Sequence, residues 1–367
     1  MIRVLHSVYG MNRGGIETFL MNVYRNIDRT KVQFDFLVHT DKKCNFDDEI
    51  AALGGNIFHI PARNEGVLKN RKALDEFFEA HLEYRILHQH ASSLSYVEPL
   101  KAAKRCKVST RIIHAHSTQA GGSFLHNYVH RWNRLFLKSY ATSCFACSDL
   151  AGKWMYGKKQ YEAGTFKIIN NGIPTNKFVF NEAKRNKVRS DLGVEGKFVL
   201  GHVGRFFYPK NHEFLIDIFQ AAYEKEPNSV LLLVGEGELR EQIEQKIASL
   251  NLKRSVILTG IRDDISDLLQ AMDIFIFPSH YEGLPVTLVE AQATGLPCLV
   301  SDNITKQVKL TNNIEYIDLL CPISKWVDRI FAINANYVRQ DESKQIVNAG
   351  FDIEKTTQWL QDLYINC

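Results

Sequence analysis

Apolar residues along this chain fall into short runs of two kinds. Runs rich in β-branched and aromatic residues, closed by Gly, Pro, Asn or Ser, predict strands. In the first half these are "RVLHSVYG", "FDFLVHT", "NIFHIP", "RILHQH", "RIIHAH", "SCFACS" and "FKIINN"; in the second, "FVLGHVG", "SVLLLVGEG", "SVILTG", "DIFIFPS" and "PCLVSD". Between them apolar positions recur every three to four residues and predict helices, among them Gly15–Asn26, Arg71–His81, Tyr96–Cys106, Leu239–Leu250, Ile265–Met272 and a last one at Ile353–Ile365. Strand–helix alternation occurring twice implies an α/β protein with two Rossmann-like, doubly wound parallel sheets. The 367 residues are also too many for one ordinary core. Turn chemistry in "NNGIPTNKFVF" (170–180), followed by the charged stretch Asn181–Arg189, places the break at 175/176 and gives domains 1–175 and 176–352. In such sheets ligands bind beyond the carboxyl ends of the strands, so two of them face to face make a cleft.

Composition narrows the class. At 45% hydrophobic and 23% charged, the chain reads as a soluble globular protein. No apolar run approaches the roughly 18 residues of a membrane span. The start, Met1-Ile-Arg3-Val-Leu-His6, lacks a signal peptide's apolar stretch, so a cytoplasmic location is expected. Seven cysteines without a framework fit a reducing compartment. Cys144 and Cys147 form a lone CxxC whose members point to opposite faces of a strand, which favours small buried hydrophobes over a metal or redox pair.

Charge is uneven. Residues 1–180 hold 25 Lys+Arg against 15 Asp+Glu, and residues 181–367 hold 20 against 26. A basic first half suits an anionic partner (nucleic acid, membrane surface or phosphorylated substrate) or is merely solvated surface. No nucleic-acid reader motif accompanies it. Lys101, Lys104, Arg105, Lys107 and Arg111 form its densest patch.

Candidate chemistry sits in loops after strands. In "HYEGLPVTLVEAQATGLPCLVSD", Glu282 lies at a strand's carboxyl end and Glu290 about one turn into a helix that starts near Pro285. Carboxylates accept hydrogen bonds only, which suits the paired hydroxyls of a sugar; the amides near Gly283 and Leu284 suit an anion. Glu290 is equally explained as a surface acid near a helix N-terminus. In "GHVGRFFYPKN", Arg205 and Lys210 are five apart, and a loop can aim both at one diphosphate. "YGMNRGGIET" is strand, glycine loop, helix; Gly14 and Gly15 let backbone approach a phosphate, and "VGEGE" repeats the shape. His88 with His90, and His114 with His116, put two imidazoles each on one strand face. With no carboxylate or cysteine at ligand spacing, they read as core-edge histidines rather than a zinc site.

Together Gly14-Gly15, His116, Asn171-Gly172, Gly204-Arg205 with Lys210, "VGEGE" and "PSHYEGLPVTLVEAQATGLP" resemble glycosyltransferase family 4, whose fold is the two-domain GT-B. The last segment has the family's two glutamates separated by seven residues before a Gly-x-Pro. "HSVYGMNRGGIETFLMNVYRNIDR" and "AGFDIEKTTQWLQDLY" are similar to the branch that builds bacterial capsular and extracellular polysaccharide. The resemblance implies a retaining hexosyltransferase that needs no metal and no cofactor beyond its nucleotide-sugar co-substrate, with UDP the expected nucleotide. It implies that Glu282 holds donor-sugar hydroxyls and Glu290 the ribose, that Arg205 and Lys210 neutralise the diphosphate with Gly15 contacting it, and that His116 sits by the donor sugar. Gly260, Ile261 and Arg262 would meet the base. The helix within 353–367 would return to the acceptor-side first domain. One departure is "SDNITKQVKL", where Gln307 stands near a Glu of many members, leaving contacts from Asn303–Gln307 open. The acceptor implied is a lipid-linked saccharide, and the Lys101–Arg111 patch would then meet the anionic inner face of the membrane. A nucleotide-sugar epimerase of the same fold, or a non-catalytic nucleotide-binding subunit, is the alternative.

Overall fold

A computed structural model describes residues 1–118 and 124–367 of the chain. The chain forms two compact units, Met1–Gly172 with Asp352–Cys367, and Ile173–Phe351. In the first, the strands β1 (Ile2–Val8), β2 (Val32–Val38), β3 (Ile57–His59), β4 (Ile86–Ala91), β5 (Thr110–Ala115), β6 (Ser143–Ala146) and β7 (Lys167–Ile168) pair in parallel in the order β3-β2-β1-β4-β5-β6-β7. In the second, β8 (Phe198–Val203), β9 (Ser229–Val234), β10 (Val256–Leu258), β11 (Ile274–Phe277), β12 (Cys298–Ser301) and β13 (Ile314–Ile317) run β10-β9-β8-β11-β12-β13, also in parallel. Both orders are doubly wound. The chain reverses direction across the sheet between β1 and β4, and again between β8 and β11, and that reversal opens the crevice where such sheets bind ligands.

The strands read as near-continuous apolar runs because both faces are covered. Val4, Phe36, Ile86 and Ile112 point to one side of the first sheet, against Phe19, Leu20, Leu360 and Tyr364. Their neighbours Leu5, Leu37, Leu87 and Ile113 point to the other, against Leu74, Phe78 and Leu100. The second sheet repeats this, with Phe275 and Phe277 on one face and Ile274 and Ile276 on the other. The final helix, Ile353–Ile365, belongs to the first unit: the Tyr364 hydroxyl lies 2.7 Å from His88 Nδ1, and the Asp28 amide donates to Gln361 at 2.9 Å.

Two sequence readings change. β13 was not foreseen: "IEYI" is short, follows polar Thr311–Asn313 and pairs on one side only. The charged stretch Asn181–Arg189, for which the sequence pattern predicts no element, is most of a helix, Glu182–Asp191. Its Arg185 and Arg189 donate to the carbonyls of Gln270, Ala271 and Met272 and grip Asp273, so these cations close off exposed carbonyls of the second unit.

Candidate active site

In the second unit, the residues singled out from sequence gather at the reversal between β8 and β11. Gly204–Asn211 follows β8 and Pro278–Pro285 follows β11. The two loops are tied together: the His280 amide donates to Pro209 O at 2.8 Å, Asn211 Nδ2 donates to Pro278 O at 3.1 Å, and the His280 and Tyr208 rings stack at 4.7 Å. Across them, Lys210 Nζ lies 2.7 Å from Glu282 Oε1, both side chains largely buried, with the ammonium also 4.7 Å above the Phe277 ring. Gly204 makes room for this lysine, since a Cβ there would stand 3.0 Å from Lys210 Cε. Arg205 is exposed, and among the described residues its guanidinium meets no carboxylate, only the Phe207 ring at 5.6 Å.

Glu290 is the fifth residue of the helix Val286–Ala293, whose N-cap is Pro285. It keeps some accessible surface, yet it is packed among protein atoms on all other sides, and burial pushes its carboxyl up to about 8. No cation relieves it among the described residues. An uncompensated buried carboxylate costs several kcal/mol unless it takes up a proton or finds donors, so the reading of Glu290 as a dipole-favoured surface acid fails. Thr287, one turn earlier on the same helix face, has a buried hydroxyl without a partner among the described residues, and so does Ser279, two residues past β11. Sequence reasoning passed over both; no local signal distinguishes a hydroxyl that awaits a ligand from one that caps a turn. Gly283 and Leu284 have no amide partner among the described residues at this helix start.

Gly260, Ile261 and Arg262 lie beside this region, because the Gly235 amide donates to Gly260 O at 3.0 Å. Ile261 is exposed, while Arg262 is occupied by Asp264 at 2.7 and 2.5 Å. That ion pair is solvent-exposed on both sides. "VGEGE" has a packing role. A Cβ at Gly235 would come within 2.1 Å of Gly204 O, and one at Gly237 within 2.2 Å of Phe206 O. These glycines let the β9 loop lie under the Arg205 loop, so packing alone requires them.

The first unit holds the rest. Gly14 and Gly15 open the helix Gly15–Asn26 after β1. A Cβ on Gly15 would meet nothing within 4 Å, so the fold itself does not require glycine there. His116 directly follows β5, its ring 5.7 Å from that of Phe19 on the same helix. The structure gathers more imidazoles than the sequence suggested. His6 pairs in register with His88, and His90 with His114, so three central strands line up five histidines on one face. His6 Nδ1 lies 3.0 Å from His90 Nε2, and His90 Nδ1 lies 2.9 Å from His116 Nε2. Burial holds His6 and His116 down at about 3, and drives His88, His90 and His114 well below the usual range. Each neutral ring carries one N–H, so the His6–His90–His116 chain must run in one direction, and the tautomer of His116 is set by the other two. His6, His88 and His90, and likewise His90, His114 and His116, have ring nitrogens within 4.8 Å of one another, close enough for a metal, but ring-to-ring hydrogen bonds already use several of them. Cys144 and Cys147 are free thiols, both pushed up to about 11 by burial, which fits inert packing.

Next to the histidine row, at the ends of β1 and β4, lies a cavity of about 590 Å³ lined by Ser7, His39, Arg63, His90, Ser93 and Tyr96 among others. A cavity of about 550 Å³ in the second unit sits elsewhere, between the helix Arg240–Ser249 and β10, and collects none of the residues above. Two of the five cations in the basic patch are engaged within the fold. Arg105 is held by Asp75 and Glu98, and Arg111 spends its guanidinium on the carbonyls of Val108, Ser109 and Tyr140. Moreover, the helix Glu98–Arg105 runs from the end of β4 back to the start of β5, so Lys104 and Lys107 lie at the sheet edge opposite the cavity.

Known proteins share this plan. Residues 13–177 match the model described as "Glycosyltransferase Family 4", and residues 184–315 match "Glycosyl transferases group 1". The chain is 34% identical to EpsF of Bacillus subtilis, provisionally named a glycosyltransferase, over 99% of this chain and 96% of that one. It is 29% identical to an Escherichia coli UDP-Gal:alpha-D-GlcNAc-diphosphoundecaprenol alpha-1,3-galactosyltransferase over 87% and 85% of the two chains. It is 25% identical to CapH, a capsular polysaccharide biosynthesis glycosyltransferase of Staphylococcus aureus, over 100% and 99%. Among solved structures, Anabaena HepE in complex with UDP superposes with a TM-score of 0.78 at 20% identity, with all of both chains covered. The chain belongs to the family 4 glycosyltransferases, has the two-domain GT-B fold, and falls in the branch that builds bacterial capsular and extracellular polysaccharide.

Proposed function

We propose that this glycosyltransferase moves a hexose, with retention, from a UDP-sugar to a saccharide carried on a lipid diphosphate, without a metal. The observation that carries the donor half is the grouping at β8 and β11: the unpaired Arg205, the Lys210–Glu282 pair and the uncompensated Glu290. Glycosyl transfer builds an oxocarbenium-like centre while charge grows on the leaving phosphate. Arg205 and Lys210 are fixed cations that stabilise this charge without reorganising, the task a divalent ion performs elsewhere. Glu282 accepts from hydroxyls of the donor sugar, Glu290 accepts from the ribose, and the exposed chain at Ile261 borders the base. In this reading Gly15 leaves room for the diphosphate, and His116, its tautomer set through His90, serves the donor sugar. The leaving phosphate takes the acceptor's proton.

The acceptor half rests on the cavity of the first unit, whose hydroxyls, imidazoles and Tyr96 suit a saccharide, and on the relative named for a diphosphoundecaprenol-linked acceptor. The UDP choice draws on that same relative and on HepE structures with UDP and UDP-glucose. Incubating the protein with a panel of nucleotide sugars and a lipid-diphosphate saccharide tests the reading. Acceptor-dependent release of UDP, and a product linkage with the donor's anomeric configuration, are expected. UDP-sugar consumed without acceptor, or an inverted linkage, would overturn it.

A further inference from the structure

The helix Phe124–Leu135 packs with its faces reversed. A surface helix ordinarily buries its apolar stripe and shows its polar side to water. Here the polar side is turned inward. His126 Nε2 lies 2.9 Å from Ser93 Oγ, His130 Nδ1 accepts from the Leu94 amide at 3.0 Å, and Asn133 Nδ2 donates to Leu94 O at 2.7 Å. The His130 ring also stacks on Trp154 at 4.6 Å. The apolar side faces out: Phe124 is 89% exposed, Leu125 68%, Tyr128 57%, Trp132 53% and Leu135 74%, with Phe136 just beyond. At 3.6 residues per turn these positions share an arc of about 120°. Arg131 and Arg134 flank that arc on one side, and Lys138 follows in the next short helix, Leu137–Tyr140. Residues 99–148 contain eight Lys+Arg and no Asp or Glu.

We propose that this face docks the enzyme on an anionic phospholipid bilayer. Exposed aromatic and leucine side chains beside a cationic margin are what an interfacial helix uses, with Trp132 and Tyr128 at headgroup depth. Around the helix itself, residues 124–148 carry Arg131, Arg134 and Lys138 and no Asp or Glu, which complements a negative surface and selects lipid over a second copy of this chain, whose matching face would carry the same positive charge. The helix is moored to Ser93 and Leu94, and Ser93 also lines the 590 Å³ cavity. Docking therefore brings the acceptor pocket to the plane where a lipid-linked saccharide resides. This purpose rests on the proposed acceptor; the docking itself does not.

Flotation of the full chain with vesicles of equal parts phosphatidylglycerol and phosphatidylcholine, against phosphatidylcholine alone, tests it. Wild type is expected on the anionic vesicles, and less so at high salt. The double variant Leu125→Ser/Trp132→Ser should lose binding by at least about tenfold, and Arg131→Gln/Lys138→Gln should lose its preference for the anionic lipid. Lys104→Gln/Lys107→Gln should bind as wild type does. Transfer to a short-chain, water-soluble acceptor should be unchanged in all variants, whereas transfer to vesicle-embedded acceptor should fall with docking. Wild type that ignores anionic vesicles, an apolar variant that still binds them, or a concentration-dependent dimer abolished by Leu125→Ser/Trp132→Ser would overturn the proposal. Docking without transfer to any lipid-linked acceptor would count against the proposed function and leave the docking face intact.

Discussion

The two units are built on one strand order and use it for opposite electrostatics. The first lines its central strands with neutral imidazoles, whose cationic forms burial excludes. The second keeps, at the same topological position, two cations, a carboxylate paired with one of them, and a second carboxylate that burial pushes toward neutrality. The difference teaches what a doubly wound sheet fixes and what it leaves free. It fixes where loops converge. Whether that place receives a hydroxyl-rich ligand or a diphosphate depends on a few side chains just past the strand ends.

The largest expected effect breaks the second unit's half of the comparison. Arg205→Ala removes a cation whose guanidinium, among the described residues, meets only the Phe207 ring, so transfer should drop by about a hundredfold or more while the thermal midpoint stays put. A turnover assay beside a melting curve checks this, and a parallel loss of stability would show Arg205 to be structural. Glycines give the next contrast. Gly235 has φ 143°, with Gly204 O in the way of any Cβ, so Gly235→Ala should unfold or severely destabilise the second unit. Gly15→Ala should leave the melt unchanged and slow transfer, because only a ligand needs the space there.

Acid should weaken the first unit more than the second, because five buried histidines line the first sheet and burial lowers only His202 and His212 around β8. Glu290 adds a response of the opposite sign. A histidine held below its ordinary value of 6.5 contributes stability that is complete above 6.5 and is lost as pH falls toward its folded value, about 3 for His6 and His116 and about 4 for His39. For Glu290, raised to about 8 from 4.5, the neutral form is the stable one, so its contribution is present below 4.5 and lost as pH rises through 8. Hydrogen exchange followed by peptide should show the β1, β4 and β5 strands losing protection first between pH 6 and 4, within the window these values define. Protection lost first in β8 and β11 would reverse the account. Chelation is the smallest expected effect: EDTA should leave transfer largely intact, and activity restored only by magnesium or manganese would assign the diphosphate to a metal instead of Arg205 and Lys210.

How much of this was legible beforehand varies with the kind of signal. Strand and helix positions followed from period, because both sheets are covered on both faces and their runs are long and apolar. β13 broke that rule by being short, half-polar and at an edge. The Glu282–Glu290 segment was readable because acids in an apolar, Gly- and Pro-marked stretch conflict with local rules, and such conflicts mark sites. For the basic patch a sequence shows charges but not their partners; Asp75 lies thirty residues from Arg105. His6 was visible in its strand but not as a neighbour of His88, since register between strands is a tertiary fact. The helix Phe124–Leu135 is the clearest limit: periodicity reveals two faces and does not say which one the protein covers.

The central claim, that Glu290 holds the nucleotide and Glu282 the sugar that moves, is tested most directly by titrating UDP into wild type, Glu290→Gln and Glu282→Gln by calorimetry at pH 7, with transfer measured on the same samples. A charged hydrogen bond contributes roughly 1.5–3 kcal/mol, so Glu290→Gln should weaken UDP binding about ten- to a hundredfold. In wild type, ribose donors favour the carboxylate, so binding should release protons, detectable as a dependence on buffer ionisation enthalpy that Glu290→Gln abolishes. Glu282→Gln should bind UDP nearly as wild type does and lose transfer. UDP affinity unchanged in Glu290→Gln, or lost in Glu282→Gln instead, would contradict the account.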